Sequence, residues 1–342
     1  MKAGNPFLAA VIVALVSPAL ASAAEPLPLT GINIAGPEFG HQRPMPGRHG
    51  TDYFYPSPKA VEHFLAHGMN TIRLPFRWER LQHQLGGDLD SDELDLLEGI
   101  IEHSTSRGAR IILDVHNYAS YNRETIGSPR VPVDALADLW RRLAERYRNN
   151  PRVIFGLMNE PKGLPTETWL DATNSAIAAI REVGAKNLIL VPGNGWTGAH
   201  SWMSDGYGTP NSEVMLGVVD PADNYAFEVH QYLDADFSGT KPECRNETIG
   251  VKALTAFTQW LHDNGKRGFL GEFGGGSNPT CMKALDRMLQ YMSENRRVWL
   301  GWTYWAAGPW ANDYFTSIQP IDGKDRPQMK VLLQHVDRSG AP

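Results

Sequence analysis

The sequence predicts an α/β protein folded as a single-domain (β/α)8 barrel, the architecture also called a TIM barrel. Eight short apolar runs recur along the chain, and each is typical of a strand buried on both faces. Most of the runs are separated by stretches in which apolar residues follow helical spacing. Eight strands that alternate with helices favour a closed parallel barrel.

The runs begin soon after the N-terminal segment and continue almost to the C-terminus. In chain order they are Gly31–Ile34, Thr71–Leu74, Arg110–Val115, Val153–Leu157, Asn187–Val191, Tyr225–Val229, Gly268–Leu270 and Val298–Trp302. An open doubly wound sheet is the competing arrangement. The sequence contains no glycine-rich dinucleotide or phosphate loop that would favour that alternative.

Five amphipathic helices are predicted between the runs. The first has a start that resembles a capping box, Asp90 with Glu93, and the others span about Leu136–Tyr147, Trp169–Ile180, Val251–Leu261 and Leu285–Met292. The stretch after the fifth run, near Trp196–Trp202, is irregular. We therefore expect its helix to be short or missing.

Composition and charge narrow the classes of function. The chain has 342 residues, of which 42% are hydrophobic and 20% charged, and its formal net charge is -6. These values are typical of a globular protein. Nucleic-acid binding is not expected because there is no long basic run. A neutral polymer or a small molecule is the ligand class more compatible with this composition and net charge.

The N-terminus has the pattern of a signal peptide over residues 1–23. Lys2 is followed by ten apolar residues, Phe7–Val16, and then by the small residues Ala21-Ser22-Ala23. Ten apolar residues are too few to cross a bilayer. We expect residues 24–342 to be one exported domain without a membrane anchor, either extracellular or periplasmic. The even cysteine count, Cys244 and Cys281, favours a disulfide over two buried thiols.

Polar and aromatic residues stand at or just after the ends of most runs. In a parallel barrel, active sites lie at the C-terminal ends of the strands. The candidates are Asn33, Arg73, His116, Asn159, Glu160, Asn194, His230, Glu272 and Trp305.

Two of these residues, Glu160 and Glu272, each follow an apolar run closely. A pair of carboxyl groups in one cavity is the apparatus that cuts a glycosidic bond. Glu160 would protonate the leaving oxygen and later activate water, and Glu272 would attack the anomeric carbon. Arg73 and Tyr232 are expected beside Glu272. A separation of about 5–5.5 Å gives retention, and about 6.5–9.5 Å gives inversion.

Two histidines at run ends, His116 and His230, leave a metal-dependent barrel hydrolase open as an alternative. The sequence has no His-x-His pair among these residues to support a binuclear centre. We therefore expect no metal and no cofactor. A carbohydrate-binding protein without catalysis is a further alternative, although both glutamates are intact.

Six motifs in order resemble glycoside hydrolase family 5, and within it the secreted endo-β-1,4-glucanases. They begin at Thr71 (TIRLP), Asp114 (DVHNY), Gly156 (GLMNEP), His230 (HQYLD), Gly271 (GEFGG) and Gly301 (GWTYW). The resemblance runs from Gly31 to about Gln319. It implies a retaining endo-β-1,4-glucanase acting on β-glucan, with an endo-β-mannanase or a mixed-linkage β-glucanase as the close alternatives.

The resemblance also implies roles for individual residues. Glu160 matches the acid/base and Glu272 the nucleophile, while Cys244 and Cys281 match a disulfide between the loops after strands six and seven. We expect a monomer. The residues matched to substrate binding are Arg73, His116, Asn159, His230, Tyr232 and Trp305, with Asn33, Asn194 and Trp196 as further cleft positions.

Overall fold

The barrel is closed by eight parallel strands. The computed structural model describes residues 1, 25–40, 45–308, 310 and 314–337. The barrel strands, numbered β1 to β8 in chain order, are Leu29–Ile34, Thr71–Phe76, Arg110–Val115, Val153–Gly156, Ile189–Pro192, Tyr225–Tyr232, Gly268–Gly274 and Trp299–Ala307. Each strand pairs in parallel with its neighbours in the chain, and β1 pairs with β8. The predicted (β/α)8 barrel is confirmed.

The helices surround this barrel. They are α1 Pro58–Ala66, α2 Trp78–Leu81, α3 Ser91–Ser106, α4 Ala135–Tyr147, α5 Thr166–Glu182, α6 Asn211–Val214, α7 Ile249–Asp263, α8 Pro279–Glu294 and α9 Met329–Leu332. The five predicted helices are α3, α4, α5, α7 and α8. Asp90 caps α3 as expected, since its side chain accepts from the backbone N–H of Glu93.

The connection after β5 contains only short helical segments, whereas a regular helix, α1, follows β1. After β5 only α6 and a 3-10 turn at Met215–Gly217 form, as the irregular sequence predicts. Sequence reasoning missed α1. Its signal was Ser57, whose side chain caps the helix, followed by Pro58 at the first helical position.

Two apolar clusters fill the fold. The larger packs the outer faces of the strands against the helices. The smaller consists of strand residues alone and fills the inside of the barrel: Leu29, Ile112, Ile154, Leu190, Ala226 and Phe269. Among the residues that the structure describes, no helix is long and apolar enough to cross a bilayer.

Cys244 and Cys281 form the expected disulfide. It joins the loop after β6 to the first turn of α8. The predicted signal peptide, residues 1–23, lies outside the described residues apart from Met1.

Candidate active site

Glu160 lies four residues after the end of β4, in a segment whose backbone is fixed by its neighbours. The N–H of Asn159 donates to the carbonyl of Val115 over 2.8 Å, and the N–H of Tyr118 donates to the carbonyl of Asn159 over 3.0 Å. These bonds hold the segment in which Glu160 adopts a φ of 43°, a left-handed conformation that is uncommon for a residue with a side chain. The backbone thus aims the Glu160 carboxyl from the rim of the barrel.

Glu272 owes its direction to a bulge in β7. Val229 and His230 are consecutive in β6, but their partners in β7 are two residues apart, so Gly271 is the extra residue. The bulge sets Glu272 opposite His230. Only glycine fits at this position, because a Cβ on Gly271 would lie 2.0 Å from Oε1 of Glu228.

The two carboxyl groups meet around one imidazole. Nδ1 of His230 lies 2.8 Å from Oε1 of Glu160 and 3.5 Å from Oε2 of Glu272. One side-chain atom of each of the three residues, a carboxylate oxygen or a ring nitrogen, lies within 4.8 Å of the other two. An oxygen-to-oxygen distance of at most 4.8 Å lies nearer to the about 5–5.5 Å of retaining glycosidases than to the about 6.5–9.5 Å of inverting ones.

Arg73 is the buried centre of charge beneath this pair. Its guanidinium is fully inaccessible and lies 2.8 Å from Oε1 of Glu272, 3.1 Å from Oδ2 of Asp114 and 3.1 Å from Oε1 of Glu228. Burial by itself lowers the pKa of Arg73, but the three carboxylates outweigh burial and raise it. The guanidinium is therefore a permanent cation that fixes one oxygen of Glu272.

The surrounding carboxyl groups are not equivalent. Burial raises the pKa of Asp114 to about 7, although Arg73 acts in the opposite direction. Burial also acts to raise the pKa of Glu228, but Arg73 and His230 outweigh it and the net shift is downward. Glu228 is therefore the firmer anionic partner of Arg73.

The two histidines carry different charges. Burial acts to lower the pKa of His230, but Glu272, Glu160 and Glu228 together raise it to about 10. His230 is therefore a cation that donates to Glu160. Burial drives the pKa of His116 well below its usual value, so that ring is neutral.

Both ring nitrogens of His116 are engaged within the protein. Nδ1 donates to Oδ2 of Asp114 over 2.7 Å, and Nε2 accepts from the side-chain amide of Asn159 over 3.2 Å. A metal centre built on His116 and His230 would have to break these bonds. The group that is spaced to hold a cation in this site is instead Glu160, His230 and Glu272.

Two predicted cleft residues lie behind the site. The side chain of Asn33 is fully buried, donates to the carbonyl of Gly271 over 2.9 Å and accepts from Arg73. Asn194 is buried and donates to the carbonyl of Leu164. Neither side chain has appreciable accessible surface, and the cleft role matched to them stays a prediction.

Arg73 was also matched to substrate binding. It has no accessible surface, and its guanidinium donates to Oε1 of Glu272 and to Oδ1 of Asn159. Asn159 is nearly as buried, with Oδ1 accepting from Arg73 over 3.0 Å.

The remaining predicted residues border an open cleft of about 890 Å³ or lie at its floor. Tyr232 lines the cleft, and its hydroxyl donates to Oε2 of Glu272 over 2.9 Å. Trp196 also lines it and is 53% exposed. Trp305 stacks on His116 with ring centroids 5.7 Å apart. Lys162, whose Nζ lies 5.2 Å from the centre of the Trp196 ring, and Phe237 also line the cleft.

Sequence reasoning missed Asp114 and Glu228. Each lies two residues before a predicted histidine, His116 and His230, inside an otherwise apolar run. Residues i and i+2 of a strand face the same side. A charged residue at that offset was therefore a signal that it shares the barrel interior with the histidine.

Comparisons with known proteins agree with this site. The family model described as cellulase (glycosyl hydrolase family 5) matches residues 29–308. The endo-β-1,4-glucanase B of Aspergillus niger is 40% identical over 305 residues, which cover 89% of this chain and 88% of the relative.

Solved structures share the whole fold. A triple variant of an endo-β-1,4-glucanase from Xanthomonas axonopodis pv. citri is 50% identical, with a TM-score of 0.89, covering 90% of this chain and 99% of the other. The endoglucanase Cel5A of Pseudomonas stutzeri, in complex with cellobiose, is 38% identical with a TM-score of 0.84, covering 91% and 93%.

A barrel with paired carboxyl groups at its C-terminal rim defines the protein as a glycoside hydrolase. The match to a family model identifies the family within this class of enzymes. The chain belongs to glycosyl hydrolase family 5, the cellulase family.

Proposed function

We propose that this protein is an exported, retaining endo-β-1,4-glucanase that needs no cofactor. The observation that carries the proposal is the meeting of Glu160 and Glu272 around His230, with ligand-type atoms within 4.8 Å. So short a distance favours retention, because inversion needs a wider gap that holds a water between sugar and base. The names of the similar enzymes from Aspergillus niger and Xanthomonas axonopodis support the choice of β-1,4-glucan.

Glu272 is the nucleophile in this proposal. Arg73 holds its Oε1 and the Tyr232 hydroxyl holds its Oε2, so the carboxylate cannot rotate away from the sugar. One of its oxygens forms a bond to the anomeric carbon as the bond to the leaving oxygen breaks. The guanidinium and the hydroxyl remain in place throughout and preserve the geometry.

Glu160 is the acid/base. It gives a proton to the leaving oxygen in the first step and takes one from the attacking water in the second. The water oxygen then bonds to the anomeric carbon and releases Glu272. The Nδ1–H of His230 donates to Glu160, which orients this carboxyl.

Sugar rings are proposed to stack on Trp305 and Trp196. Tyr232 and His230 line the cleft beside them, and His116 and Asn159 support the site from below through their hydrogen bond to each other. Flat aromatic faces suit the apolar faces of pyranose rings. Export is proposed from the signal-like N-terminus and agrees with the disulfide, since disulfides persist in oxidising compartments. The monomeric state also stays a proposal.

A substrate panel tests the glucanase assignment. Purified protein is incubated with carboxymethyl cellulose, barley β-glucan, mannan and xylan, and released reducing ends are measured. We expect the strongest release from the cellulose derivative. Strong release from mannan with none from soluble cellulose would identify the mannanase alternative, and release confined to barley glucan would identify the mixed-linkage enzyme.

The stereochemical course tests the mechanism separately. Proton NMR of cello-oligosaccharide hydrolysis should show the β-anomer first, with the α-anomer growing in only by mutarotation. An initial α-anomer would show inversion. Prolonged chelation should leave the rate unchanged, whereas loss of rate that zinc restores would favour the metal-dependent alternative.

A further inference from the structure

A second cluster of ligand-type side chains lies far from the cleft, between α1 and the segment after β8. His63 lies in the last turn of α1, and His67 is the residue that ends it. Asp325 comes from the segment between β8 and α9, 258 residues from His67. One ligand-type atom from each lies within 4.8 Å of the others.

The distances fit the coordination sphere of a small divalent cation. Nε2 of His63 lies 3.1 Å from Oδ1 of Asp325, and Nε2 of His67 lies 3.1 Å from Oδ2. Ligands about 2.0–2.1 Å from a tetrahedral zinc ion lie about 3.3 Å from one another. The three side chains therefore need little movement to surround the ion.

The hydrogen bond of His67 to its own helix fixes the position of one ring proton. Nδ1 of His67 lies 2.7 Å from the carbonyl oxygen of His63, so this nitrogen must carry a proton and donate it. In the neutral ring, Nε2 then has a lone pair directed at the Asp325 carboxylate. Two acceptors in contact require a cation or a second proton between them.

His63 gives an independent sign of a missing partner. Its Nε2 is buried and makes no hydrogen bond of acceptable geometry, although Asp325 is 3.1 Å away. The side chains of His63, His67 and Asp325 are 23%, 25% and 37% exposed, so an ion and a completing water can enter. The C-terminal end of a helix, where both histidines lie, also attracts positive charge.

We propose that His63, His67 and Asp325 form a binding site for a late first-row divalent cation such as Zn²⁺. Two imidazoles and one carboxylate are a ligand set that zinc prefers, with water as the fourth ligand. The ion would tie α1, which follows the first barrel strand, to the segment that follows the last one. Its role is to stabilise the closure of the barrel, and it takes no part in hydrolysis.

Zinc binding to untagged, chelator-stripped protein tests the site. Isothermal titration should show a zinc equivalent that His67→Gln and Asp325→Asn weaken by more than about tenfold. The control His335→Gln removes a histidine that pairs with Asp286 alone, and it should leave the isotherm unchanged. Zinc at Glu160, His230 and Glu272 would persist in all variants and inhibit hydrolysis, which separates the two sites.

Thermal unfolding provides a readout that does not depend on activity. Zinc at 100 times its dissociation constant should raise the melting temperature of the native protein by about 4 °C, and raise that of Asp325→Asn little. Anomalous density from zinc-soaked crystals, between α1 and Asp325, locates the ion directly even if a variant folds poorly. Unchanged isotherms in the variants, or no anomalous peak there, would show a plain His–Asp contact and overturn the proposal.

Discussion

The inside of the barrel has two layers of opposite character. The lower layer is apolar and includes Ile112 and Ala226. Two residues further along the same strands stand Asp114 and Glu228, on the same inward side. The next inward-facing position along the strand thus carries a buried charged side chain in place of an apolar one.

The same strands therefore supply residues that stabilise the fold in the lower layer and residues of the candidate active site in the upper layer. Apolar burial in the lower layer stabilises the fold by about 25 cal/mol per Å² of surface removed from water. The upper layer buries Arg73 with three carboxyl groups, which costs desolvation energy that their mutual attraction offsets only with good geometry. We therefore expect upper-layer changes to affect turnover, and stability as well where a buried charge loses its partner, and lower-layer changes to affect only unfolding.

The largest expected effect follows from Glu272→Gln. Under the proposed mechanism, an amide cannot form the glycosyl intermediate, and the turnover number should fall by about 10³- to 10⁵-fold. Initial rates on carboxymethyl cellulose measure the loss, and circular dichroism checks that the fold persists. Glu228→Gln is the matched control, because it removes the same charge from Arg73 without touching the cleft. Its rate should exceed that of Glu272→Gln at least about tenfold.

Arg73→Met should lower the stability of the fold, because it removes the cation at the centre of the upper layer. Removing the cation leaves Glu272, Asp114 and Glu228 buried without their partner, so the free energy of unfolding should fall by about 3–5 kcal/mol. Denaturant titration measures this change. Arg146→Met removes a half-exposed ion pair with Glu98 and should cost about 1 kcal/mol or less. Equal losses in the two variants would contradict the buried-charge account.

Leu190→Ala tests the lower layer. Leu190 is fully buried inside the barrel, and the cavity left behind should lower the free energy of unfolding by about 2–5 kcal/mol. The turnover number of the folded variant should stay within about twofold of the native value. Leu216→Ala, at a position that is 42% exposed, is the control and should change stability by less than about 0.5 kcal/mol. A large fall in turnover for Leu190→Ala would show that the layers are not independent.

The pH dependence of stability provides a further test and concerns Glu38, in the loop after β1. Burial raises its pKa from 4.5 to about 8, so between these values the folded protein binds more protons than the unfolded chain. Stability from this group is complete below pH 4.5 and is lost as pH rises toward 8, with a slope of up to about 1.4 kcal/mol per pH unit. Glu38→Gln should flatten the decline in a series of denaturant titrations. An unchanged slope would assign the pH dependence to other groups.

Much of the fold followed from the sequence because apolar periodicity is a local property. Five helices and all eight strands were predicted, although the strand ends moved by as much as five residues. The longest helix that was not predicted is α1, although Ser57 and Pro58 marked its start. The helices α2 and α9 span four residues each, which is too short for a periodic pattern.

The candidate site was predicted in part, for a related reason. Motifs at strand ends indicated Glu160, Glu272, His116, His230 and Tyr232, and the structure brings them together or lines the cleft with them. The burial of Asn33 and Asn194 was not predicted, since position at a strand end does not say which way an amide faces.

The sequence by itself determined the alternation of strands and helices, the family and the residue types available at the rim. Only the tertiary structure decided that a bulge at Gly271 turns Glu272 toward His230, and that His63, His67 and Asp325 meet across the barrel's closure. The physical reason is that periodicity acts over neighbouring residues. The direction of a side chain and the convergence of distant groups depend on strand register and on packing, which arise only when the whole ring has closed.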